Sequence, residues 1–320
     1  MDLLSEMPGY RHSRVYLAPS PKPSLRRLAT GVARAWWTGR TYQLVHAHGE
    51  VAGGLCLPLL LARPSVVTLN GLHFLRRMSG LGRIAAVLNL RAVIRATDRM
   101  ICVSRAEYEY LLAAVGPVAQ RRAVVIHNGV RVPPPPSAAV RAEVRRELGL
   151  TNEEPVGIWV GSLDARKDPL SAVRAAEAAA LTLLVVGDGP LRAQVEQAAG
   201  AHVRVLGHRD DVGRLLQASD IYLMTSTREG LSFALLEAMA CGLAPVVSDA
   251  PENLEAIGDA SFAVTAGDSI DLAKSLRSLA ADSRRRRAAG HHAACRISRF
   301  FQASKMIHNT KEIYRAVGSF

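Results

Sequence analysis

Ser226-Thr-Arg-Glu-Gly-Leu-Ser-Phe-Ala-Leu-Leu-Glu-Ala-Met-Ala-Cys-Gly-Leu-Ala-Pro-Val-Val-Ser248 decides how this chain is read. It follows a short apolar run, Ile221–Met224, that reads as a strand. Ser232 suits a helix N-cap, the helix runs to about Ala240, Gly242 ends it, and Pro245-Val-Val opens the next strand. Glu229 falls in the loop and Glu237 on the helix, with seven residues between them. A helix start has free backbone N–H groups and a positive dipole end, so the amides around Gly230, Leu231 and Ser232 favour an anion. Carboxylates bind hydroxyls well and phosphates badly. Amides for phosphate beside carboxylates for hydroxyls suit a sugar nucleotide.

The segment Glu229-Gly-Leu-Ser-Phe-Ala-Leu-Leu-Glu237-Ala-Met-Ala-Cys-Gly-Leu-Ala-Pro-Val resembles the Glu-x7-Glu signature of retaining glycosyltransferases of family 4. The resemblance implies the α/β GT-B fold, two Rossmann-like parallel-sheet domains facing a cleft. It also implies transfer of a sugar from a nucleoside-diphosphate sugar to a glycan or lipid-linked acceptor, with the anomeric configuration retained.

Composition is consistent with this. A chain of 320 residues suits two domains, and 49% hydrophobic residues suffice for real cores. The formal net charge of +12 points to an anionic partner, either a phosphorylated substrate or an anionic membrane surface. No nucleic-acid-binding motif is present. Cys56, Cys102, Cys241 and Cys295 lie far apart in apolar segments without metal spacing, as reduced core cysteines would. No apolar run reaches the length of a span and the first residues lack a signal-peptide pattern, so the expected location is cytoplasmic, peripheral on the inner face of the membrane.

Strand and helix alternate along the chain, which argues for parallel sheets covered by helices. The first half reads as irregular residues 1–12, strand Val15–Ala18, a proline-punctuated loop Pro19–Pro23, and a basic helix Leu25–Trp37. Strand Leu44–His48, helix Gly53–Ala62, strand Ser65–Leu69 and a loop Thr68–Phe74 follow. Then come helix Arg83–Ala96, strand Met100–Val103, helix Ala106–Ala114 and strand Ala123–His127. Pro133–Pro136 reads as a stiff linker. Beyond it lie strands at Val156–Val160, Leu181–Val186, Val203–Leu206 and Ile221–Met224, and a last helix Phe300–Val317. The expected divisions are an N-terminal acceptor-side domain over 1–136, a donor domain over 137–300, and a helix over 301–320 that crosses back. The family pattern begins with a strand and a glycine-rich loop that are not found before Val15. The first domain is therefore expected to be incomplete, short of a central strand, with apolar faces exposed.

Site residues follow from the resemblance. Gly161-Ser-Leu-Asp-Ala-Arg-Lys167 resembles the loop that holds the donor phosphates; Ser162 stands where the family has Arg, Lys167 matches the family's Lys, and Arg166 is offered as a substitute. A diphosphate leaving group needs a cation as charge develops on it. Gly187-Asp-Gly-Pro190 resembles the loop near the donor base, while Arg192 breaks the dinucleotide pattern Gly-x-Gly-x-x-Gly. The resemblance gives Glu237 the ribose hydroxyls and Glu229 the donor sugar. The assigned catalytic set is Glu229, Lys167 and His73, the last close to Asn70 in a loop where the family often carries His. The donor-binding set is Gly161, Ser162, Arg166, Lys167, Gly187, Gly230, Leu231, Ser232 and Glu237. No cofactor or metal is expected, with the nucleotide sugar as co-substrate. His46 and His48 share a strand face and read as packing residues, and Arg284–Arg287 reads as a solvated face. The competing readings are a truncated, non-catalytic nucleotide-binding homologue and a nicotinamide-dependent oxidoreductase.

Overall fold

The computed structural model describes Met7 and residues 10–17, 25–133 and 137–318. The chain divides into two compact units. The first ends at His127 and regains the chain from Ala303; the second runs Asn128–Gln302.

The first unit is built on a parallel sheet of four strands in chain order: β1 (Val45–His48), β2 (Ser65–Thr68), β3 (Arg99–Cys102) and β4 (Ala123–Val125). Right-handed crossovers between strands laid down in sequence put all their helices on one face. Side chains alternate accordingly. Val67, Met100 and Cys102 are buried against the helices Gly80–Ala96 and Arg105–Val115. Val66, Ile101 and Ile126 point to the other face, beneath Met7 and the helix Ala303–Gly318 through Met306 and Tyr314. The expected exposed apolar face is thus covered, with Val66 and Ile101 at 0% and 3% exposure.

Several sequence expectations for this unit are corrected. Residues 15–17 form no strand, since among the described residues no partner strand flanks them. The helix expected at Gly53–Ala62 starts earlier and splits into Glu50–Leu55 and Leu57–Ala62, breaking at Cys56 just before Pro58. The loop expected through Phe74 turns helical at His73–Arg77. Phe300 ends the preceding helix Ser283–Phe300, and the last helix starts only at Ala303. The expected loop Pro19–Pro23 and most of the four-proline run lie outside the described residues.

The second unit carries a six-stranded parallel sheet: β5 (Val156–Val160), β6 (Thr182–Val186), β7 (Val203–Gly207), β8 (Ile221–Met224), β9 (Ala244–Ser248) and β10 (Ala263–Val264). Its strand order is β10-β9-β8-β5-β6-β7. Winding runs outward from β5 to β7 and then restarts at β8 on the other side. The reversal between β5 and β8 leaves the loops after those two strands side by side, the place where open α/β sheets bind ligands. The helix Ala138–Glu147 is fixed at the opposite ends of these two strands. There Arg145, with no exposed side-chain surface, and Arg141 hold the two carboxylate oxygens of Asp220 at 2.7 Å each. Among the described residues no helix is long and apolar enough to cross a membrane.

Candidate donor site

The loops after β5 and β8 carry the charged residues singled out in the sequence. Asp164 shapes the first loop. Its Oδ1 accepts the N–H groups of Arg166 at 3.0 Å and Lys167 at 3.1 Å. Asp168 then takes a left-handed conformation, φ 46°, and its side chain caps the helix Pro169–Ala179 by accepting from Ser171 N. The loop after β8 is latched onto this turn. The Thr225 hydroxyl lies 2.9 and 2.7 Å from the carbonyls of Lys167 and Asp168 and accepts the Trp159 indole N–H at 3.1 Å. Thr227 N donates to the Arg166 carbonyl at 3.0 Å. On its other side the loop is held by Ser248, whose hydroxyl donates to the Ser226 carbonyl and accepts from Asn253 Nδ2.

This lacing brings Lys167 and Arg166 together on one carboxylate. Lys167 Nζ donates to Glu229 Oε1 at 2.5 Å and Arg166 Nη1 to the same oxygen at 3.4 Å. The Glu229 side chain is 6% exposed, so the charge-assisted bond to Lys167 is shielded from bulk water. Arg166 also reaches Asp164, at 3.7 Å. Adjacent side chains often diverge, yet here both cations converge.

The loop continues through Gly230 and Leu231, both buried, to Ser232, whose hydroxyl caps the helix Phe233–Ala240 by accepting from Leu235 N at 3.5 Å. The Leu231 carbonyl accepts from Asn128 Nδ2 at 2.8 Å. Glu237 stands on the exposed side of this helix, while protein around its stem desolvates the carboxyl and raises its pKa above the ordinary value. Gly161 and Gly187 bring two loops into contact. Gly161 N donates to the Val186 carbonyl, Gly187 has φ 137°, and a Cβ at Gly187 would fall 1.8 Å from the Gly161 carbonyl oxygen. No residue with a side chain fits that approach. Ser162 is exposed on the rim of this loop. Arg192, where a dinucleotide loop would have glycine, pairs with Asp188 and Glu196.

His73 belongs to the first unit. It opens the short helix His73–Arg77 after three successive residues of positive φ, Asn70 (61°), Gly71 (112°) and Leu72 (50°). Such backbone costs energy and persists only where its surroundings impose it. Two buried carboxylates do so here. Glu107 accepts from Gly71 N and from Val103 N, and Glu50 accepts from the N–H groups of Phe74 and Leu75. Burial raises the Glu50 carboxyl against the pull of those amides. His46 and His48 stack with ring centroids 4.2 Å apart. His46 bonds to the Tyr314 hydroxyl at 2.6 Å and to Thr68 Oγ1 at 2.7 Å. Burial, with His48 adding to it, holds His46 well below the usual histidine pKa, as a packing residue. Among the described residues no group of His, Cys, Asp and Glu could hold a metal ion. The structure therefore gathers Gly161, Arg166, Lys167, Gly187 and the Glu229–Ser232 loop in the second unit. Sequence reading missed the residues that hold them: Asp164, Thr225, Trp159 and Asn128.

Comparison with known proteins identifies the family and the fold. The family described as Glycosyltransferase Family 4 matches residues 3–132, and the one described as Glycosyl transferases group 1 matches 154–282. The chain is 28% identical over 230 residues to the UDP-Gal:alpha-D-GlcNAc-diphosphoundecaprenol alpha-1,3-galactosyltransferase of Escherichia coli, covering 66% of this chain and 59% of that protein. It is 27% identical over 308 residues to an alpha-maltose-1-phosphate synthase of Mycolicibacterium smegmatis, covering 86% and 79%. Among solved structures, HepE of Anabaena in complex with UDP and glucose superposes with a TM-score of 0.79 at 24% identity, over 92% of this chain and 83% of that one. Sucrose-phosphate synthase of Thermosynechococcus elongatus gives 0.81 at 21% identity, over 97% and 85%. The chain spans less than two thirds of the galactosyltransferase's length. By its sequence in both halves and by its two parallel α/β sheets, this chain belongs to the glycosyltransferase group 1 and family 4 proteins and has their GT-B fold.

Proposed function

We propose that the chain transfers a sugar from a UDP-sugar to a glycan or lipid-linked acceptor with retention of the anomeric configuration. The observation that carries this reading is the convergence of Lys167 and Arg166 on Glu229 beside the amides of Gly230 and Leu231. In the reaction the bond from the anomeric carbon to the donor's β-phosphate oxygen breaks. The acceptor oxygen bonds to the same face of that carbon, and its proton passes to the departing phosphate. Negative charge builds on the diphosphate, and Lys167 and Arg166 are placed to neutralise it together with the loop amides, so no metal is assigned to this step. Glu229 then turns from the cations to the hydroxyls of the donor sugar, and Glu237 takes those of the ribose. His73 is assigned to the acceptor side. Support for uridine comes from the relatives: HepE was crystallised with UDP, UDP and glucose, and UDP-glucose, and the E. coli relative is named for UDP-galactose. That same relative is named for a diphosphoundecaprenol-linked acceptor, which supports the lipid-linked class.

The test is stereochemical. Incubated with UDP-glucose or UDP-galactose, water replacing the acceptor in slow hydrolysis, the protein is expected to release UDP and an α-configured sugar first, read by proton NMR before mutarotation. Initial β-sugar would overturn retention, and absence of UDP release from any UDP-sugar, with lipid-linked acceptor supplied, would overturn the transfer reading.

A further inference from the structure

The charge of this chain is unevenly divided. Residues 1–127 and 303–320 hold 20 Lys and Arg against 7 Asp and Glu, whereas residues 128–302 hold 20 against 21. The whole positive excess lies on the first unit. A donor diphosphate bound by Lys167 in the second unit does not account for it.

Much of the excess gathers where the strands of the first sheet begin. Arg40 and Arg63 precede β1 and β2, Arg99 opens β3, and Arg121 and Arg122 precede β4. The helix Gly80–Ala96 runs back to the same edge and brings Arg91 and Arg95. Arginines of this group bond to neutral backbone oxygens: Arg63 to Arg40, Arg91 to Val115, Arg95 to Arg91, Arg99 to Asp98 and Arg122 to Thr97. Asp98 is the acidic side chain in these segments, and its carboxylate already accepts from Ser65 N at 2.9 Å. Arg95, Arg121 and Arg122, with Pro117 and Val118, line an open depression of about 360 Å³.

The same helix exposes apolar side chains. Leu81, Ile84 and Leu88 are 83%, 57% and 57% exposed. Spaced three and four apart, they form one stripe, and Arg91 and Arg95 continue it. Leu61, 70% exposed, lies on the helix Leu57–Ala62 packed against this one. An apolar stripe that runs into a basic depression matches the order of a bilayer surface, hydrocarbon beside anionic headgroups. A free polyanion would satisfy the arginines and leave the stripe in water.

We infer that this face of the first unit docks on an anionic bilayer, Leu81, Ile84 and Leu88 entering the interface while Arg95, Arg121 and Arg122 meet lipid phosphates. The inference goes beyond the donor site and does not depend on it. The other basic run, Arg284–Arg287, is engaged within its own unit. Arg285 there bonds to Ser278 Oγ, and Arg286 caps the carbonyls of Leu279 and Ala280 at the end of the preceding helix Ser269–Ala281.

Co-sedimentation of the full chain with vesicles tests this. The protein is expected to pellet with phosphatidylcholine–phosphatidylglycerol vesicles, not with phosphatidylcholine alone, and to be released as salt rises. Arg95→Glu with Arg121→Glu, and separately Leu81→Ser with Ile84→Ser and Leu88→Ser, are each expected to weaken binding about tenfold or more. Melting temperatures near that of the wild type show that both variants fold. Equal binding by the variants, or no pelleting with anionic vesicles at low salt, would overturn the inference. So would binding to duplex DNA in place of anionic vesicles.

Discussion

Lys167→Ala is expected to lower kcat about 10²- to 10³-fold, the loss seen when one donor to a developing anion is removed. Its Nζ lies 2.5 Å from Glu229 Oε1 and is largely shielded from solvent. Arg166 is half-buried at 3.4 Å from the same oxygen and does not replace it, because its head is shared with Asp164. Steady-state kinetics with a UDP-sugar gives kcat and KM separately. A fall in kcat with folded protein by circular dichroism supports the assignment to the leaving group, and wild-type turnover would refute it. Arg166→Ala is expected to cost less, since longer reach and greater exposure weaken its pull on the charge.

The largest stability effect is expected at the other end of strands β5 and β8. Arg145 donates Nε to the Ala218 carbonyl at 2.9 Å, Nη1 to those of Thr151 and Glu154 at 2.6 and 2.9 Å, and Nη2 to Asp220 at 2.7 Å. Asp220 also accepts Val156 N at 2.9 Å, at the first residue of β5. Burial lowers the Arg145 pKa from its ordinary value and Asp220 opposes that shift. Arg145→Ala therefore removes a buried partner from a carboxylate and from three carbonyls at once. Breaking a buried ion pair in this way costs about 3–5 kcal/mol. Urea unfolding of Arg145→Ala is expected to show that loss in the transition of the second unit. A loss below about 1 kcal/mol, the range of exposed pairs, would contradict the burial described here.

The apolar runs of the second unit were legible because each is short and bounded by polar or glycine residues, so Val156–Val160 and Ile221–Met224 coincide with β5 and β8. Local signals also placed the Ser232 cap, where a serine precedes an apolar helix. What escaped depends on distant residues. The helix at His73 begins at a left-handed Leu72 and is capped by Glu50, 24 positions from Phe74, so no local cap announces it. Residues 15–17 have strand-like composition and, among the described residues, no partner strand. β10 is only two residues long and exists by pairing with β9.

The site was legible in the same uneven way. Motifs marked Lys167 and Glu229, yet their contact spans 62 positions and follows from the reversal of strand order between β5 and β8. Asn128 reaches Leu231 across 103 positions, and Thr225 holds the Lys167 turn across 58. Those supports carry no sequence signal beyond residue type. The charge split between the units stands in the sequence itself: residues 1–127 hold 17 Lys and Arg against 6 Asp and Glu, and the last helix adds Lys305, Lys311 and Arg315 against Glu312.

Thermal melting with UDP, GDP, ADP and their sugars, on wild type and on Glu237→Ala, tests the donor site most directly. A ligand that binds only the folded state raises the melting temperature. The account predicts stabilisation by UDP and UDP-sugars that is lost or strongly reduced in Glu237→Ala. Stabilisation by none of the nucleotides, or equal stabilisation of the variant, would contradict it.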